Sequence, residues 1–352
     1  MKKIGVLISL VLLLVTGCGK VDKNSIVNDF KAKVNKSKSY ELSGTMEIIN
    51  DEDVFKYNLS VKFLYDDKEY YKVNLINQTN NHEQVILKND DGVYVVTPSL
   101  NKSFKFQSNW PNNSSQSYLL SSLVKDMTND PKTEFVEKDK MYIIKNKVDY
   151  PNNEDLTYEK IYFDKNKNLK KVEVYNNKDM VKIKVEFLKI DYKASLNDDD
   201  FKLDSLIKEP ECSGDCEEKN NNSENNDNST ENKTTSSLKD IIYPLYVPSN
   251  TSLKSKDVIN TESGERVILT FGGDNSFVLV EETINVADEF EIIPVYGDPE
   301  IINDSIGALS ANSLSWTSNN VNYYLTGTSL AKDDLISIAT SMNNVGAVNA
   351  EK

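Results

Sequence analysis

Arginine is all but missing from this chain of 352 residues: Arg266 is the only one, so nearly all of the 41 basic side chains are lysines. Against 55 acidic residues the formal charge is −14, and no basic stripe or basic-aromatic interleaving occurs, which argues against nucleic acid as a partner. Histidine is as scarce. The single one, His82, sits in the turn-like run Asn80-Asn81-His82-Glu83-Gln84, and no Gly-x-Ser-x-Gly accompanies it, so a Ser-His-Asp or Cys-His arrangement has nothing to build on. Three cysteines with no second Cys/His pair leave no zinc site. Asp198-Asp199-Asp200 lacks the Gly and terminal Glu of a calcium loop. Gly272-Gly273-Asp274 lies between two strands and opens no helix, so it reads as a tight turn and not a phosphate cradle. The expectation is a protein without catalytic residues, metal or cofactor.

What is present begins at the N-terminus. Lys2-Lys3 are followed by the apolar run Ile4–Val15 and by Val15-Thr16-Gly17-Cys18, a run too short to span a bilayer comfortably. Residues 1–17 read as a signal peptide closed by a lipobox, with Cys18 as the new N-terminus and acceptor of diacylglycerol. Each buried methylene contributes about 0.8 kcal/mol, and two acyl chains anchor stably where one is marginal. The expected location is the extracytoplasmic face of the cell membrane, lipid-anchored.

Pro210–Ser237 contains no aliphatic or aromatic residue and cannot bury enough surface to fold, so residues 210–237 read as a disordered polar linker. It carries Cys212 and Cys216, whose spacing closes a five-residue loop. Such a loop constrains an unfolded chain by only about 2 kcal/mol. The pair is a local disulfide clasp or two free thiols.

Between Cys18 and the linker, Ile26, Val27, Phe30 and Val34 recur at helical spacing in Asn24–Lys36. The period then becomes two, most cleanly in Phe55, Tyr57, Leu59, Val61, Phe63 and Tyr65. Strands follow at Glu69–Asn77, Glu83–Lys88 and Gly92–Thr97, then at Thr133–Glu137, Met141–Lys147, Leu156–Phe163, Leu169–Tyr175 and Met180–Tyr192. In the middle lies Leu100–Met127. Phe104 and Phe106 form a short strand there, Asn-Trp-Pro-Asn-Asn-Ser forbids regular structure, and Leu119, Leu120, Leu123, Val124 and Met127 line one helix stripe. About eleven strands and two helices predict an α+β, mainly antiparallel fold whose sheet curves into an incomplete barrel. Its concave face needs covering by helices, a ligand or a partner. Trp110 on the Pro-broken loop is either a partner anchor or a plug for the sheet's end.

Residues 238–352 read as a small α+β domain of unknown role. An extended arm spans Tyr243–Pro248, strands are expected at Arg266–Phe271, Ser276–Glu282, Glu289–Val295, Ser313–Thr317 and Asn322–Leu325, and a helix at Lys332–Met342. Trp316 reads as core.

The lipobox, the opening helix, YDDKEYYKVNL from Tyr65, the run Val85–Met127 and MVKIKVEFLKIDY at Met180–Tyr192 together resemble the LolA-like lipoproteins of spore-forming Gram-positive bacteria, in their sporulation and germination branch. The resemblance covers Cys18–Leu206. It implies that residues 18–209 form a LolA-like incomplete β-barrel capped by helices, whose concave side accepts lipid acyl chains; some germination lipoproteins of this fold instead partner a cortex-modifying amidase. The arginine associated with cargo handling has no counterpart, because Arg266 lies in the other domain. The expected function is that of a membrane-anchored lipoprotein whose half-barrel holds a protein partner, such as a cell-wall hydrolase, or a lipid acyl chain during sporulation or germination. Phe104, Phe106, Trp110, Leu119 and Leu123 are the candidate binding residues. The alternative is an envelope sensor of amphiphiles that signals to a membrane partner through the C-terminal domain.

Overall fold

Alternation along the strands, read against two amphipathic helices, builds the first layer of the molecule. The computed structural model describes residues 21–50, 53–207, 238, 240–261, 264–287 and 289–342. The segment expected to be a signal peptide, Cys18, the segment expected to be a linker and both Cys212 and Cys216 lie outside the described residues. Helix α1 (Lys23–Lys36) is capped by Asp22, whose carboxylate accepts from the Ser25 amide at 2.8 Å, and it buries Ile26, Phe30 and Val34. Eleven strands follow: β1 (Ser39–Asn50), β2 (Asp53–Asp66), β3 (Lys68–Asn77), β4 (Glu83–Asn89), β5 (Gly92–Thr97), β6 (Lys102–Phe106), β7 (Glu134–Lys138), β8 (Met141–Lys147), β9 (Leu156–Phe163), β10 (Leu169–Asn176) and β11 (Val181–Asp191). Helix α2 (Leu120–Asn129) interrupts them after β6.

Every pairing among β1–β11 is antiparallel, and β1 joins the two halves by pairing with both β2 and β11. Residues from one face of this sheet, including Met46, Val61, Val73, Val95, Ile144, Val172 and Val185, share a single core with α1 and α2. The sheet therefore wraps around its helices, and its ends stay unpaired with each other: the fold is α+β, mainly antiparallel, an incomplete barrel. Phe30 of α1 meets Phe163 of β9 edge-on at 5.3 Å, fixing the helix in the concavity.

The register of β1 on β11 breaks between Ser43 and Gly44, where a Cβ on Gly44 would stand 2.1 Å from the Glu186 carbonyl oxygen. Gly44→Ala must push the two central strands apart and is expected to cost about 1–3 kcal/mol. Urea unfolding checks this; an unchanged midpoint would show that the ladder yields there freely.

Beyond residue 238 the chain forms a second, seven-stranded antiparallel sheet in the order β12 (Thr251–Thr261), β13 (Gly264–Gly273), β14 (Phe277–Thr283), β19 (Val321–Thr326), β18 (Ser313–Ser318), β17 (Ser305–Leu309) and β16 (Asp298–Ile302). Helix α3 (Lys332–Thr340) packs Leu335 and Ile338 on it, and Ile241, Ile242 and Val247, from the stretch before β12, join that core. Trp316 stacks on Tyr323 at 4.9 Å, as core.

Strands β12, β16 and β17 lie outside the sequence reading, and one expected strand pairs elsewhere. The segment expected at Glu289–Val295 as part of the C-terminal domain is β15 (Glu291–Val295), and it pairs in parallel with β6 as the twelfth strand of the first sheet. Its Pro294 is tolerated because β15 is an edge. Ile306 and Ala308 of β17 also enter the first core, and the Ile306 amide donates to Gln84 Oε1 at 2.7 Å.

Candidate functional site

The concave face of the incomplete barrel is largely occupied by the protein itself. Trp110, on the loop Gln107–Leu119, is only 1% exposed and meets Tyr71 of β3 edge-on at 5.8 Å. Leu119 and Leu123 are fully buried in the same core, Phe106 is buried, and Phe104 is half-buried against it. Of these five candidate binding residues, Trp110 takes the plug alternative of its two readings, and the other four pack into the same core, where the stripe of α2 fills the volume that a ligand would need. Cys18 lies outside the described residues.

Other sequence candidates find plain places. His82, expected on an open turn, is half-buried because the C-terminal module lies over it; burial lowers its pKa, opposed by Asp304. Asp200 pairs with Lys62 at 2.7 Å and completes a capping box with Asn197. Arg266 Nη2 donates to both carboxylate oxygens of Glu282 at 2.9 Å. Among the described residues, no group of three His, Cys, Asp or Glu side chains is arranged to hold a metal ion.

A cavity of about 300 Å³ lies between the barrel and the C-terminal module. Strands β1, β4 and β11 contribute Met46, Ile48, Ile86, Lys182 and Ile183, while Ser114–Tyr118 and Tyr150–Leu156 contribute polar edges. The opposite wall is Pro299, Glu300 and Ile301 of β16 with Asp333, Ile336, Ser337 and Thr340 of α3. It exists because β15 and β16 carry the second module across the barrel's mouth. None of Phe104, Phe106, Trp110, Leu119 or Leu123 lines it.

Its electrostatics come from burial. Glu300 is half-buried at this wall, and burial raises its pKa to about 7; the Asn152 amide, 3.5 Å from Oε2, acts against this. Lys332 Nζ donates to Asn152 Oδ1 at 2.7 Å. Asp333 is also raised by burial, with Glu154, Asp334 and Asp155 adding like charge.

Behind the cavity lies a buried polar cluster. Glu159 of β9 and Asp126 of α2 are both buried; Asn146 Nδ2 donates to Glu159 Oε1 at 2.9 Å, whereas Glu159 Oε2, Asp126 Oδ2 and Asn146 Oδ1 have no protein partner. Burial, then the neighbouring Asp126 charge, pushes Glu159 well above the usual range, and burial lifts Asp126 to about 6. Tyr150, on the cavity wall, feels both carboxyls and is held neutral.

No family model matches the chain. It is, however, 35% identical over 334 residues to the sporulation protein YdcC of Bacillus subtilis (strain 168), across 95% of this chain and 94% of that protein. The chain belongs to the YdcC family of sporulation proteins. This agrees with the sporulation branch to which its motifs point. Solved structures similar to this YdcC-family chain include the MucA/MucB complex of Pseudomonas aeruginosa (9% identity, 89% of this chain and 96% of that one, TM-score 0.31). A LolA superfamily protein from Nitrosomonas europaea is also similar (12%, 53% and 99%, TM-score 0.31). A third is a chain in the complex of the CwlD amidase from Clostridioides difficile with the GerS lipoprotein (15%, 50% and 98%, TM-score 0.30). Among the described residues of the YdcC-family chain, no helix is long and apolar enough to cross a membrane.

Sequence reasoning missed the cavity's own residues. Glu300 sits in Asp298-Pro299-Glu300, one carboxylate among 55 acidic residues, and only the folded chain sets it apart.

Proposed function

We propose that this YdcC-family protein is a binding protein of the sporulating cell. In this reading acyl chains on Cys18 anchor it to the extracytoplasmic face of the membrane, and the cavity between its modules holds the apolar part of an amphiphile. The observation that carries the reading is the cavity itself. Its volume of about 300 Å³ stands at the low end of small-molecule sites, and aliphatic walls with a few convergent polar groups are the composition such sites share. Lipid extracted from the purified full-length chain tests it by mass spectrometry. Wild type is expected to carry an amphiphile, and Ser337→Trp, which fills the cavity from α3, to carry less than a tenth as much; an empty wild type ends the proposal.

The anchor has its own check. Cys18→Ser is expected to move the chain from the membrane fraction to the soluble fraction, and retention of most of it at the membrane would remove Cys18 from the account.

A protein partner, such as a cell-wall hydrolase, is a second reading favoured by β12. This edge strand is exposed along nearly its whole length and shows Leu253, Val258 and Ile259 to solvent, a surface suited to strand addition.

A further inference from the structure

We infer that the cavity between the two modules selects an amphiphile with an amine or other cationic head, and that Glu300 is the counter-charge for that head. The inference rests on the binding reading above and adds the ligand's class to it.

Glu300 projects from β16 into the cavity wall, and its one polar contact from the protein among the described residues is the long 3.5 Å approach of Asn152. Lys332 Nζ donates to Asn152 Oδ1 at 2.7 Å and lowers the Glu300 pKa through its charge, but among the described residues it forms no ion pair with that carboxylate. The carboxyl is thus half-buried at the cavity wall with no ion-pair partner among the described residues, an arrangement that favours a cation arriving from the cavity. The rim adds to the bias: Asp155 and Asp333 face the same space as Glu300, opposed there by Lys182. A cavity lined mainly by one sign of charge within low-dielectric walls concentrates ligands of the other sign. A carboxylate head would meet like charge there, whereas an amine completes the missing pair. Met46, Ile48, Ile86 and Ile183 supply the apolar wall for a tail.

The same arrangement makes binding depend on pH. Burial holds Glu300 near 7, Asp298 on its own strand raises it, Lys332 from α3 lowers it, and Tyr118, facing it from the loop before α2, stays neutral. Between pH 6 and pH 8 the ionised fraction of a group titrating at about 7 rises about tenfold. An alkylamine stays protonated throughout that range, as a lysine side chain does.

The test is calorimetry on the full-length chain with decylamine, decanol and decanoate below their micellar concentrations, from pH 6 to pH 8. Decylamine is expected to bind about tenfold more tightly than decanol at pH 8 and to lose that advantage at pH 6. Decanoate is expected to be the weakest. Glu300→Gln is expected to bind decanol as wild type does and to level the amine profile; the wild-type profile alone decides if that variant does not fold. Decanoate binding as tightly as decylamine, or an amine affinity flat with pH, overturns the cationic head and leaves the binding reading standing. Failure of all three to bind overturns both.

Discussion

Trp110→Ala is expected to lower the stability of the folded chain by about 3–5 kcal/mol, the cost of emptying a well-packed aromatic site. The ring lies edge-on to Tyr71 and is buried in the same core as Leu119 and Leu123. Its backbone is held from the other side: the Trp110 amide donates to Ser108 Oγ at 3.0 Å, and Ser108 donates to Asp298 at 2.6 Å in the C-terminal module. The plug is therefore clamped between modules and cannot collapse into the gap, which places the cost toward the upper end of the range. Trp110→Phe keeps most of the ring and should lose only about 1–2 kcal/mol. Leu188→Ala, at a position 73% exposed, should stay within about 0.5 kcal/mol. Urea unfolding followed by circular dichroism measures all three. A loss below about 1 kcal/mol for Trp110→Ala would mean that the barrel is not closed by this ring.

Stability should also fall as pH rises from 5 to 8. Burial lifts Asp126 to about 6 and Glu281 and Glu300 to about 7, and lifts Glu159 well above its usual range. Each of these groups keeps its proton to higher pH in the folded chain than in the unfolded one. The folded state then binds more protons, so their contribution is complete below about pH 4 and is lost as pH climbs through the folded values. Glu173, Asp164 and Asp200 act in the opposite sense: hydrogen bonds and lysines hold them below the usual range, and their contribution is lost as pH falls through it. The optimum should lie between about pH 4 and pH 6, where both sets are satisfied. Glu281→Gln isolates one member of the first set. Its amide oxygen can still accept from the Ile242 amide, which meets Glu281 Oε2 at 3.1 Å. The variant should gain about 1–3 kcal/mol at pH 8 relative to pH 5. Denaturant midpoints across that range check the slope, and a slope unchanged by Glu281→Gln would remove that carboxyl from the explanation.

Much of the fold was legible because its signals are local. Phe55–Tyr65 alternates in the chain as β2 does in the sheet, and Leu120, Leu123, Val124 and Met127 mark the buried side of α2 before any neighbour is known. The strands that escaped notice lack that signal. In β12 no side is buried, so TSLKSKDVINT has no reason to alternate, and β16 carries Pro299 in a five-residue edge strand. The extent of β15 was readable but its partner was not, because pairing Glu291 with Lys102 joins segments far apart in the chain. Trp110 illustrates the limit at the site. Sequence places an aromatic on a Pro-broken loop, but whether it faces out or fills the barrel depends on the room α2 leaves. Glu300 acquires its character only from walls supplied by other elements.

The parallel seam between β6 and β15 has a consequence for biosynthesis. Until the ribosome has made roughly the first five-sixths of the polypeptide, β6 has no neighbour on its outer side. A nascent chain in that condition offers an open hydrogen-bonding edge to any passing strand. Premature truncation anywhere before Glu291 should therefore yield sticky, aggregation-prone products and not a working first half.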